Sequence, residues 1–187
     1  MDFNFTEEQT MLRDMVRKFV DNEIKPLARR IDKEHNVDLI KEIIKKGAAL
    51  GLLGIPFPEQ YGGSNMGEMG YAILIEELSR GCASTSVTIG AHIGLAGTSI
   101  LIGGSEAQKE KYLTPLAKGE KLGAYALTEP GAGSDAANIQ LSAKEEGDAY
   151  VLNGTKLWIT NGDIADIIVV YGVTNAELKA RGGITAF

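Results

Sequence analysis

Thr128, Glu129, Ser134 and Asp135 bracket a Pro130-Gly131-Ala132-Gly133 turn, and residues of those types can bind a polar ligand. Proline and closely spaced glycines stop a strand and favour an irregular turn. Glycine tolerates a positive φ and lets backbone N–H groups approach a ligand with no Cβ in the way. Tyr125-Ala126-Leu127, just before, is apolar and reads as a strand. Spacing alone leaves two readings open: a decorated strand-to-strand turn, or a strand end that cradles a polar group.

Other reactive side chains carry weaker signals. Glu76-Glu77 suggests a pair of catalytic acids, but consecutive residues do not share a helix face, so at least one is expected to be solvated surface. The single cysteine, Cys82, stands between Gly81 and Ala83. It excludes an intrachain disulfide and any multi-cysteine metal site, and it reads as a small packed residue. His92 lies in an apolar run and has no second histidine at metal-ligand spacing, so a hydrogen-bonded core histidine is expected and no metal site is predicted. His35 lies in a charged loop with no special signal.

The chain that must position these groups has 187 residues, 44% hydrophobic and 24% charged, with a formal net charge of −6. That length gives room for one large or two small domains with a sizeable core. The negative balance offers no basic surplus to displace counterions from phosphates, which argues against nucleic acid as a partner. Met1-Asp-Phe-Asn-Phe-Thr-Glu-Glu8 lacks the basic and apolar regions of a signal peptide, so a cytoplasmic location is expected. Every apolar run of spanning length is interrupted by Gly, Ser, Thr or His, and no membrane span is expected.

Helical signals dominate the first part. Thr6-Glu-Glu-Gln9 is a capping-box pattern. Met11, Leu12, Met15, Val16, Phe19 and Val20 then recur at helical spacing until Pro26, which should end or kink the helix. The spacing predicts a second helix from Asp38, as N-cap, to Leu50, and a third from Glu68 to Arg80. Residues 83–102 are apolar on nearly every face, with glycines and alanines interleaved, as in a buried helix. Ser105-Glu-Ala-Gln108 is a second capping box, opening a helix that stops at Gly119. Past that point the pattern is short β-rich runs at 122–127, 139–143, 150–152, 156–160 and 164–173. Gly147-Asp148, Asn153-Gly154 and Asn161-Gly162 punctuate them as hairpin signals. The expected fold class is α+β: an all-α domain at 1–119 followed by an antiparallel β domain at 120–187. Gly183-Ile-Thr-Ala-Phe187 reads as a strand in progress, so the β domain is expected to be truncated and the chain a fragment.

Ala126-Leu-Thr-Glu-Pro-Gly-Ala-Gly-Ser-Asp135 resembles the signature of the acyl-CoA dehydrogenase family. Four further stretches resemble the family in the same order. They are Glu23-Ile-Lys-Pro26, Gly51-Leu-Leu-Gly-Ile-Pro with Glu59-Gln-Tyr-Gly-Gly63, Gly104-Ser-Glu-Ala-Gln-Lys-Glu-Lys-Tyr-Leu113, and Asn153-Gly-Thr-Lys-Leu-Trp-Ile-Thr-Asn-Gly162. Asn138 departs from the pattern, which has Gly, Ser or Ala there. The resemblance covers the whole chain but only the front half or so of the family's architecture.

The resemblance implies FAD as cofactor, and α,β-dehydrogenation of an acyl-CoA thioester to the trans-2-enoyl-CoA. It implies that Tyr125, Ala126, Leu127, Thr128, Gly133 and Ser134 lie along the flavin, with Ser134 also touching the substrate's thioester end. Trp158, Ile159 and Thr160 resemble the second flavin segment, with Trp158 beside the ring system and Thr160 near the reactive nitrogen. An isoalloxazine needs a flat apolar wall and a few donors, which these residue types provide. Glu129 and Asp135 match motif positions without a role as base and are expected to stabilise the loop. The family's catalytic base lies beyond Phe187, so no catalytic residue is assigned here. The resemblance further implies electron-transfer flavoprotein as electron acceptor and a homotetramer or homodimer at full length. The helix from Ser84 to Ile102 resembles the wall of the acyl cavity, where Gly90, Gly94 and Gly97 are expected to leave room. Alternatives are a flavin-dependent relative such as an acyl-CoA oxidase or nitroalkane-oxidase-like enzyme, or a non-catalytic acyl-CoA- or flavin-binding module.

Overall fold

The structure is a computed structural model that describes residues 4–34 and 36–187; His35 and the first three residues of the N-terminal segment lie outside the described residues. The Thr6 capping box forms as expected, with Thr6 Oγ1 accepting from Gln9 N–H at 3.2 Å and Gln9 Oε1 from Thr6 N–H at 3.0 Å. It opens α1 (Glu7–Phe19), which buries Leu12, Val16 and Phe19. Pro26 is absorbed without breaking the rod. A π-helical turn at Val20–Ile24 precedes α2 (Lys25–Glu34), so the wider turn lies just ahead of the residue that has no N–H to give.

α3 (Val37–Ala49) is capped by Asn36 rather than Asp38, because the Asn36 side chain reaches Leu39 N–H at 3.2 Å. α4 (Gly67–Gly81) packs on α1, and buried Glu77 ties the two together. Its Oε2 accepts from Arg17 Nε at 3.1 Å and from Arg80 Nε at 3.0 Å. The Arg17 hydrogen bond holds the Glu77 carboxyl below the usual range against the opposing effect of burial. Glu76 is exposed, so the adjacent pair is one structural anchor and one surface residue, not a catalytic dyad.

The small-residue segment folds as one helix, Ala83–Gly103. It comprises α5 (Ala83–Gly90), a π-helical stretch Ala91–Gly97 and α6 (Thr98–Gly103). Its Gly, Ser, Thr and His residues do not break the helix, as expected for residues 83–102, although by length and composition it could cross a membrane. Half of its most apolar window is buried inside the fold, against α4 and the first strand. Two of the three glycines expected to leave room do not, whereas a methyl group at Gly90 would make only ordinary contacts with Ile75 and Tyr71. A methyl group at Gly94 would meet the Tyr71 hydroxyl, and one at Gly97 would meet the Phe57 ring, so aromatic side chains already fill that space. The Ser105 capping box opens α7 (Glu106–Gln108), which passes through a π-helical turn into α8 (Thr114–Ala117).

The β part has five strands: β1 (Gly123–Ala126), β2 (Ser142–Glu146), β3 (Ala149–Asn153), β4 (Ile167–Val173) and β5 (Ile184–Ala186). Their order is β1-β4-β2-β3, with β5 also pairing β4. The α-then-β order is as expected, but the sheet is mixed. β2–β3 and β4–β5 are antiparallel, whereas β1 and β4 run parallel in the register Gly123↔Ile167 to Ala126↔Val170. Residues 127–166 supply the long crossover that a parallel pair requires. Of the three hairpin signals only Gly147-Asp148 closes a tight hairpin, with Gly147 at φ 67° and Glu146 opposite Ala149. Residues 156–160, expected as a strand, form an irregular loop between β3 and β4.

Candidate functional site

The two motif segments meet at the open end of β1. Strand β1 leaves the sheet at Ala126, and the chain enters a tight turn in which Glu129 and Ala132 exchange backbone hydrogen bonds at 3.0 and 3.1 Å. Gly131 and Gly133 do not adopt a positive φ. Each faces open space instead, with nothing within 4 Å of where a Cβ would sit. Access, not conformational freedom, is what these two glycines contribute. Ser134 and Asp135 are exposed beside them.

Glu129 is a structural carboxylate, as the loop-stabilising expectation had it. Its two oxygens accept from Gln140 N–H at 2.6 Å, Leu141 N–H at 2.9 Å and Lys156 Nζ at 2.8 Å. Burial alone would raise its pKa, but the Lys156 hydrogen bond and the two backbone donors outweigh that and hold it below the ordinary carboxylate range. Lys156 also donates to Leu127 O at 2.8 Å. Leu157 N–H donates to Thr128 O at 2.8 Å. Residues 127–129 are therefore stitched to 156–157, which explains why 156–160 is not a strand: its backbone is used in a loop-to-loop contact and not in a ladder.

That stitching sets Trp158 beside Thr128. Trp158 takes a left-handed backbone, φ 58°, and its side chain is 88% exposed. A bulky residue there is conformationally unfavourable by about 1–3 kcal/mol, and nothing in the core repays it. Ile159 and Thr160, which follow it, are half-buried. At the end of β1, Tyr125 is half-buried and Ala126 is buried and so offers a backbone edge only, while Leu127 and Thr128, just beyond the strand, are half-buried. The Tyr125 ring stacks obliquely on Tyr171 at 5.2 Å, and burial raises its hydroxyl pKa. All nine candidate cofactor-contact residues thus lie on these two adjoining segments, with Gly133 and Ser134 on the exposed turn beyond β1.

His92 supports β1 from beneath. It is fully buried, with Nδ1 accepting from Gly123 N–H at 2.9 Å and Nε2 3.1 Å from Leu116 O. Those partners require the tautomer with the proton on Nε2. Burial lowers its pKa to about 4, so it stays neutral at physiological pH. It is a core histidine, as expected. Lys156 and Asn161, in contrast, were not recognised from the sequence as builders of this site. The only available signal was a lysine placed directly before the apolar run Leu157-Trp-Ile159.

Among known sequences, residues 6–120 match the acyl-CoA dehydrogenase N-terminal domain and residues 124–187 the acyl-CoA dehydrogenase middle domain. A short-chain-specific acyl-CoA dehydrogenase of Clostridium acetobutylicum is 48% identical over 187 residues, which is all of this chain and 48% of that protein. A solved structure described as an electron transferring flavoprotein of Acidaminococcus fermentans aligns with TM-score 0.93 and 42% identity, over 100% of this chain and 48% of that one. A Bacillus anthracis acyl-CoA dehydrogenase complexed with FAD aligns with TM-score 0.86 and 41% identity, over 91% of this chain and 29% of that one. The chain spans about half the length of the curated relatives it matches. With its helical part and its β part each matching in order, the chain belongs to the acyl-CoA dehydrogenase family.

Proposed function

We propose that residues 1–119 and 120–187 are the helical and β portions of an FAD-dependent enzyme that converts an acyl-CoA thioester to its trans-2-enoyl-CoA. The observation that carries this reading is Trp158, an apolar ring held in solvent by an unfavourable backbone next to the free end of β1. Such an arrangement suits a flat ligand that covers the ring. When bound, FAD supplies the two-electron oxidant. The chain's own residues bind and orient: Trp158 and Ile159 form the wall, Tyr125 to Thr128 and Gly133 lie along one edge, and the Thr128 and Thr160 hydroxyls hydrogen-bond to the ring. Ser134, exposed on the turn, faces the thioester end of the substrate. No residue here serves as the base that removes the substrate's α-proton. Electron-transfer flavoprotein is the proposed acceptor and a homotetramer or homodimer the proposed assembly, both on the strength of family membership.

The test is an FAD titration of the purified chain followed by the emission of Trp158, the only tryptophan. Saturable quenching, together with FAD affinity by calorimetry that is weakened in Trp158→Ser, supports the reading, and no quenching at any FAD concentration overturns it. In a dye-reduction assay with butyryl- or octanoyl-CoA the chain alone should be inactive, and robust turnover would show that a base is present after all.

A further inference from the structure

Asn161 follows the Trp158–Thr160 segment directly and is 7% exposed. Its backbone is left-handed, φ 67°, a conformation that asparagine adopts more readily than other non-glycine residues. Its side-chain amide reaches two carbonyls at once, Thr88 O at 2.9 Å and Gly123 O at 3.1 Å. Those carbonyls belong to α5 and to the first residue of β1. Its own carbonyl accepts from Ile164 N–H at 3.0 Å and Ala165 N–H at 2.8 Å, which closes the turn leading to β4. Gly123 is consequently held on both sides of its peptide unit, its N–H by His92 and its C=O by Asn161. A primary amide is the short side chain with two donor hydrogens able to serve two carbonyls. Aspartate would set negative charge against them, and leucine would supply neither donor.

We infer that Asn161 is a positioning residue, whose amide latches the Trp158–Thr160 loop to α5 and β1 and so fixes where Trp158 stands at the end of β1. The latch rests on the flavin reading only for its purpose. Its geometry is independent of any ligand.

Two variants separate the side chain from the backbone. Asn161→Gly keeps the left-handed turn and removes both donors, while Asn161→Ala removes both donors and strains the turn. With far-UV circular dichroism matching the parent chain, both should lower the fluorescence anisotropy of Trp158 and weaken FAD binding about tenfold, the loss of roughly one net hydrogen bond. Asn161→Gly behaving like the parent while Asn161→Ala does not would overturn the inference, because the backbone alone would then matter. If the parent chain binds no FAD, the flavin reading fails by itself, and the Trp158 anisotropy alone decides the latch. A third measurement needs no variant. In ¹⁵N spectra of the parent chain the two Asn161 amide protons should exchange slowly, and exchange as fast as that of a surface asparagine overturns the latch.

Discussion

Lys156 and Glu129 form an ion pair nearly sealed from solvent, Nζ to Oε1 2.8 Å, with side chains 8% and 6% exposed. The pair joins the two segments that carry the candidate site, and each member has further partners: Leu127 O for the ammonium, Gln140 and Leu141 N–H for the carboxylate. Removing one partner of a buried pair strands the other charge, at a cost of about 3–5 kcal/mol. Lys156→Met should therefore destabilise the chain by several kcal/mol in urea denaturation. Glu129→Gln should cost less, because the amide oxygen still accepts one of the backbone bonds.

The same carboxylate makes a pH prediction. The folded-state pKa of Glu129 lies below its ordinary value, so its contribution is present above the unfolded pKa of about 4.3 and is lost as pH falls through the lower, folded value. Acid unfolding of the parent chain should steepen below about pH 4. Glu129→Gln should flatten that limb, and an unchanged acid limb would mean that the pair does not stabilise the fold.

His92 titrates in a different window. Its folded pKa is about 4, whereas an unfolded histidine has about 6.5, so between these values the unfolded chain binds the extra proton. Stability should be full above about pH 6.5 and fall by up to ~3 kcal/mol as the pH is lowered towards 4. His92→Gln should be less stable at pH 7 and should lose the slope in this window. Denaturant midpoints at half-unit pH steps would show both effects.

Much of the helical part was legible because its determinants are local. The Thr6 and Ser105 boxes each close within four residues of sequence, and a side chain three positions away satisfies the backbone donors. The α3 cap was misplaced by two residues because Asn36 and Asp38 are both good caps and only geometry chooses. The parallel pairing of β1 and β4 was not legible, since nothing in either strand encodes a partner across a long crossover. Lys156-Leu-Trp-Ile-Thr160 has strand composition, but the Leu157–Thr128 contact and the left-handed Trp158 override that propensity. Motif resemblance found the candidate site, whereas the residues that brace it, Lys156 and Asn161, emerged only from their contacts.

Trp158 offers a test in which stability and binding move in opposite directions. The ring is 88% exposed and its backbone is left-handed, so Trp158→Gly removes strain and little packing. The substitution should be neutral or stabilising by up to ~1 kcal/mol in thermal or urea unfolding. FAD affinity should nevertheless fall sharply. A variant that is both less stable and unaltered in FAD binding would make Trp158 a structural residue.

Gly94 and Gly97 lie one turn apart in the helix that resembles an acyl-cavity wall, and they should respond differently to alanine. Both would gain about 1 kcal/mol of helix propensity. At Gly97 the added methyl meets the ring of Phe57, which is fully buried and cannot retreat, so overpacking of about 1–3 kcal/mol should prevail and Gly97→Ala should be destabilising. At Gly94 the obstacle is the hydroxyl end of half-buried Tyr71, which donates to Gly90 O at 3.2 Å. That ring can swing outward at the loss of one hydrogen bond, about 1 kcal/mol, so Gly94→Ala should be close to neutral. Urea midpoints for the two variants should place Gly97→Ala clearly below Gly94→Ala. The reverse order would mean that Phe57 has room to move and that the space beside Gly97 is open to a ligand.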